Sequence, residues 1–164
     1  MNTGQMLLAL GAVILLSMLS LRINNTTIST QSTIVNSKMG LMAVSIAQSV
    51  IEEANNKAFD EVSISAFVSD LNKLTLPTQL KAESGEKYPD FDDFDDYNNF
   101  NRTDTIPTAD IFKVKCKVYY IDPSAPNVPV STRGWHKKID VSVISKTMRD
   151  TIKISSVFSY WKEL

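Results

Sequence analysis

The feature that most constrains this chain is an uncharged apolar run near its start. From Gln5 to Leu21 it reads QMLLALGAVILLSMLSL. As a helix the run extends roughly 25 Å, at about 1.5 Å per residue. With Ile23 included it approaches the hydrocarbon thickness of a bilayer, about 30 Å. Ser17 and Ser20 can return their hydroxyls to carbonyls one turn back, so they do not oppose burial in lipid. The run is longer than a secretory signal core, and no basic side chain precedes it. No turn-rich break follows it. A transmembrane helix over residues 5–23 is expected, with a cleaved signal or a buried core helix as the competing readings. Arg22, directly after the run, is a single vote for a cytoplasmic C-terminal side under the positive-inside rule.

The next segment, NNTTISTQST from Asn24 to Thr33, is rich in Asn and β-branched residues. These are poor helix formers, so a loosened helix or a local melt is expected there. Helical periodicity then returns. Val35, Met39, Met42, Ile46, Val50 and Ala54 recur at three- and four-residue spacing, joined by Ala43, Ala47 and Ala58. Asn36, Ser45, Gln48, Ser49, Glu52, Glu53 and Asn56 lie mostly off that stripe. An amphipathic continuation over 24–59 follows, ending near Phe59, with its apolar face toward a core.

Residues 60–164 form the expected α+β domain. Ser63 to Leu74 suggests a short helix capped by Ser63 or Ser65 and ended by Pro77. Residues 78–110 are loop-like, with an acidic loop at 83–104. The period then switches to two. In FKVKCKVYY, Phe112, Val114, Cys116, Val118 and Tyr120 face one way, and Lys113, Lys115 and Lys117 the other. Asp122 to Gly134 is Pro-rich and reads as a long loop. Strands follow at about Lys137 to Ser145, with Ile139, Val141 and Val143 inward, and at about Thr151 to Tyr160. Short connections favour an antiparallel meander over 112–160, covered on one face by the amphipathic helix.

Chemistry is sparse. With 17 basic and 18 acidic side chains the chain has no basic excess, which argues against nucleic acid as a partner. One cysteine (Cys116) and one histidine (His136) leave few ligands for a zinc site or a catalytic triad. No P-loop or Gly-rich nucleotide motif is present, and no enzyme activity is expected. The one dense constellation is Asp90, Asp92, Asp93, Asp95 and Asp96. Such a group repels itself unless solvated or neutralised. Oxygen-rich loops can hold calcium, which takes six to eight oxygens. The alternative is a docked acidic loop whose carboxylates cap turns, pair with Arg102 or Lys87, or stay in water, while Phe91, Phe94 and Tyr97 pin it to the domain.

A short leader ending in Gly4, an apolar helix, its amphipathic continuation and a C-terminal meander together resemble a type IV pilin or type II secretion pseudopilin. AQSVIEEANNKAFDE from Ala47, the paired-Asp segment from Leu80 to Phe100, and VYYIDPSAPN from Val118 resemble minor pilins of the mannose-sensitive haemagglutinin type. The resemblance implies a pilin-like fold and a prepilin peptidase junction at Gly4-Gln5. It implies a helix that anchors the subunit in the bacterial inner membrane, in contact with lipid. That helix later packs against other pilin subunits through residues such as Leu7, Leu8, Leu10, Val13, Ile14 and Leu16. The domain then lies outside the cytoplasm. Two positions depart from the family pattern: Gln5 stands where Phe or Met is usual, and Ala9 where most pilins carry Glu. The leader also has no basic residue, and an uncleaved, membrane-tethered binding module is the alternative.

Overall fold

The computed structural model describes residues 2–107 and 110–160. The chain divides into two compact units, Met1–Lys38 and Met39–Leu164. Met1 of the expected leader lies outside the described residues.

Helix α1 runs Thr3–Asn55. It is helical through Asn24–Thr33, where a loosened helix or a local melt is expected, and no melt is present. The reason lies in the threonines: Thr26, Thr27 and Thr33 each donate their hydroxyl to the carbonyl four residues back, at 2.9–3.0 Å. Ser17 does the same to Val13. β-Branched side chains thus keep their polar atoms satisfied inside the helix.

In the second unit the C-terminal part of α1 covers an antiparallel sheet. Its buried residues are Met39, Ala43, Ala47, Val50, Ile51 and Ala54. The expected stripe is therefore rotated slightly. Met42 and Ile46 are only half-buried and Val35 is exposed, while alanines hold the centre. Small side chains allow close approach of the helix backbone to the sheet. The helix ends at Asn55, earlier than Phe59. Ala58 instead pairs with the acidic segment, donating to Asp92 O at 3.1 Å and accepting from Phe94 N at 2.9 Å.

The expected helix over Ser63 to Leu74 is replaced by two shorter pieces. Helix α2 spans Glu61–Ser65 and is capped by Asp60 in a capping box with Ser63. A single 3-10 turn at Leu71–Lys73 is capped by Asp70. Between them Val68 is buried, and Ser69 and Asp70 favour caps over helix interiors.

Five strands are formed among the described residues: β1 (Asn101–Thr105), β2 (Ile111–Asp122), β3 (Ala125–Pro129), β4 (His136–Ser145) and β5 (Ile152–Ser159). The order is β1-β2-β4-β5, and β3 pairs with the end of β2. All pairings are antiparallel. The β2-β4-β5 meander agrees with the alternation in the sequence. In register, Val114 faces Val143, Cys116 faces Val141, and Val118 faces Ile139. Strands β1 and β3 occupy stretches that look like loop. Both are polar or Pro-rich edge segments held by backbone pairing, without a period-two apolar signal. The core joins the α1 face, the inner face of β2 and β4, and Phe91, Phe94 and Tyr97 from the acidic segment.

Candidate functional site

Two regions carry the residues of functional interest, one in each unit. The first is the start of α1. Among the described residues one helix is long and apolar enough to cross a membrane, with a mean hydropathy of 2.3 over its best window. Leu7, Leu8, Leu10, Val13, Ile14 and Leu16 are all exposed, at 49–77% of their surface. Apolar side chains in a continuous stretch like this require cover by lipid or protein. Gly4 and Gln5 lie in the first turn of α1. Asn2 N–H donates to Gln5 Oε1 at 3.4 Å, and Gln5 N–H donates to Asn2 O at 2.9 Å.

The second region is the acidic segment. Phe91, Phe94 and Tyr97 bury completely or nearly so and pin it to the core, as their spacing suggests. The aspartates between them are carried inward as well. Asp93, Asp95 and Asp96 are at most 2% exposed, so they do not stay in water; Asp90 and Asp92 do. Arg102 and Lys87 are not their partners. Arg102 pairs with Asp104 at 3.0 Å and Glu53 at 3.9 Å.

Asp95 meets Lys137 instead, across 42 residues of sequence. Lys137 sits on β4 opposite Tyr120 of β2, on the core face. Its ammonium donates to Asp95 Oδ1 at 2.5 Å, Asp60 Oδ2 at 2.8 Å and Phe59 O at 2.7 Å. Three donors thus meet three acceptors. The Phe59 ring centroid lies 4.4 Å from the ammonium and that of Tyr120 5.1 Å.

One buried ammonium neutralises one carboxylate. Burial pushes Asp60 up, but Lys137 and the Thr75 donors outweigh it and hold Asp60 below its ordinary range. Thr75 gives Asp60 its backbone N–H at 3.0 Å and its hydroxyl at 3.1 Å. Burial pushes Asp95 up to about 7 despite the same lysine. Asp60 therefore carries the charge, and it ties α2, Thr75, Tyr120 and β4 to one point. Asp93 is pushed up to about 8, first by burial and then by Asp95 and Asp96. Its Oδ1 accepts from Asp95 N at 2.6 Å and Asp96 N at 3.2 Å, capping the 3-10 turn at Asp95–Tyr97.

The five aspartates do not converge on a common point. Among the described residues Glu83, Glu86 and Asp96 each place one carboxylate oxygen within 4.8 Å of the others. Glu83 is pushed up to about 7 by burial, then by Glu86 and Asp96. Asp96 is pushed up to about 6, first by burial. Neither glutamate stands out in the sequence beside the denser aspartates. The available signal was Gly85 between them, a turn-former that folds two acids back on each other.

The outer sheet face forms a shallow polar hollow around Lys115, Lys117, Tyr119, Lys138, Asp140 and Lys153. Asp140 accepts from Tyr119 at 2.8 Å and Ser155 at 2.7 Å. His136 shares a hydrogen bond with Ser159 at 2.8 Å. The buried Cys116 thiol is pushed up to about 12, chiefly by burial, which keeps it protonated.

No protein-family model, curated protein or solved structure matches this chain.

Proposed function

We propose that this protein is a minor pilin or pseudopilin, a structural subunit that joins, primes or caps a type IV pilus-like or secretion filament. The observation that carries the proposal is α1 itself. A bare apolar stretch, beginning at the fourth to fifth residue, continues in one helix into a half whose alanine stripe packs on an antiparallel sheet. A helix of this kind serves first as an anchor in the bacterial inner membrane and then as an insert in a bundle of like helices. Leu7, Leu8, Leu10, Val13, Ile14 and Leu16 supply the contacts in both settings, and prepilin peptidase cuts at Gly4-Gln5. The domain outside the cytoplasm then sets the contacts at the filament surface. The proposed role is structural; burial keeps the Cys116 thiol protonated and His136 is bonded to a strand serine, which fits that reading. Shearing filaments from cells that express the chain, and probing them for it, tests the proposal. Co-fractionation with other pilins supports it, and failure to associate under any expression condition contradicts it.

A second reading is an uncleaved, membrane-tethered binding module. It rests on the leader without a basic residue and on Gln5, which stands where the pilin pattern has Phe or Met.

A further inference from the structure

We infer that the lysine-lined hollow on the outer sheet face is a docking surface for a second copy of this chain, which enters it with the acidic patch of Glu61, Glu86 and Asp92.

The hollow carries positive charge that its own domain does not neutralise. Strand register fixes the lysines. Ser142 of β4 stands opposite Lys115 of β2 on one side and Lys153 of β5 on the other. Lys117 stands opposite Asp140 two residues along. All three lysines are exposed, on the face turned away from the core. Among the described residues the one acid lining the hollow is Asp140. It is already engaged, accepting from Tyr119 and Ser155 and pairing with Lys138 at 3.8 Å. Lys115, Lys117 and Lys153 form no ion pair among the described residues. Asn99 and Asn101 line the same hollow and add uncharged donors.

The complementary charge stands on the other side of the sheet. The acidic segment packs through Phe91, Phe94 and Tyr97 on the inner face, with α1. That packing leaves Asp92 exposed and Glu86 half-buried, and Glu61 is exposed at the start of α2. The Glu61 carboxyl is pushed up by burial and then by Asp92 and Glu86, and Asp92 by burial and then by Glu86. Lys57 acts against this on Asp92. None of the three acids forms an ion pair among the described residues, either with Lys57 or with Lys81 and Lys87 of the same stretch.

Two surfaces of opposite sign on opposite sides of one sheet cannot meet within a chain. Between two chains they can, and each lysine then gains a carboxylate partner. The net charge of -1 lets copies approach without strong repulsion. A contact through two different surfaces is head-to-tail and propagates unless its rotation closes a ring, which suits a filament subunit. The contact needs neither cleavage at Gly4-Gln5 nor entry into a filament, so its failure leaves the filament reading standing.

The test is zero-length carbodiimide coupling of the full chain in detergent, with micelles in excess so that each holds one chain, mapped by mass spectrometry and paired with sedimentation. The expected amides join Lys115, Lys117 or Lys153 of one copy to Glu61, Glu86 or Asp92 of another. Association weakens roughly tenfold when salt is raised from about 50 mM to about 500 mM. Lys115→Glu with Lys117→Glu weakens it about 100-fold, and so does Glu61→Lys with Asp92→Lys. All four positions are exposed, so both variants keep the melting transition of the natural chain. Mixed together, the two variants associate as the natural chain does, because each retains the surface the other lacks. A natural chain that is monomeric at low salt, amides confined to other residues, or folded variants that do not associate when mixed overturn the contact. A monomeric chain that instead binds alginate through the same lysines also overturns it and gives the hollow to an acidic polysaccharide.

Discussion

Lys137 and Asp60 form an ion pair of 2.8 Å with both side chains wholly buried. A lone buried charge is expensive, and removing one partner of such a pair is far more damaging than removing both. Lys137→Met strands the Asp60 carboxylate in the core and takes from Asp95 the ammonium that donates to it. The expected loss is about 3–5 kcal/mol, read by urea denaturation of the full chain in detergent. A loss under about 1 kcal/mol, the range of an exposed pair, would show that the pair is solvated.

The same pair sets an acid limit. The folded pKa of Asp60 lies below its ordinary value of 3.8, so the folded chain binds fewer protons in the interval between them. The stability that Asp60 supplies is fully present above the ordinary value and is lost as pH falls through the folded one. The Tm advantage of the natural chain over Asp60→Asn should hold steady above pH 5 and shrink below about pH 4. An advantage that grows on acidification would refute the assignment of the charge to Asp60.

How much of this was legible differs by element. The strand β2 announces itself, because Lys alternates with Phe, Val and Cys from Phe112 to Val118. The α1 stripe is equally plain, though its centre falls on alanines and not on the larger Met42 and Ile46. Lys137 was not read as a core residue, although it shares the parity of Ile139, Val141 and Val143. A lysine looks like the end of an inward face until its carboxylate partners are known, and those lie 42 and 77 residues away. The aspartates suffer from the same blindness. Local density suggests solvent or a metal, whereas burial of Asp93, Asp95 and Asp96 is imposed by the aromatic residues between them. Strand β1 has no apolar alternation and exists through its pairing with β2.

The alanine stripe predicts a sharp contrast on neighbouring positions. Ala47 is fully buried against the sheet and Gln48 is exposed. Ala47→Leu should cost about 1–3 kcal/mol by overpacking. Gln48→Leu should stay within about 0.5 kcal/mol. Chemical denaturation of the two variants checks the rotation of α1 over the sheet, and equal effects would contradict it.

Membrane retention should depend on the first apolar stretch. Val13 and Leu16 are 66% and 73% exposed within it. An arginine at the centre of a spanning helix costs about 2.5–3.5 kcal/mol on insertion scales. Val13→Arg with Leu16→Arg should move the chain out of the alkali-resistant membrane fraction. Full retention of the double variant would mean that something other than this helix holds the protein.

The most direct test of the filament account is the intact mass and N-terminus of the chain, taken from native membranes and from sheared filaments. The account predicts a mature chain beginning at Gln5 and present in both fractions. A chain beginning at Met1 and confined to membranes would contradict it, leaving the fold as described and a tethered module in place of a pilin.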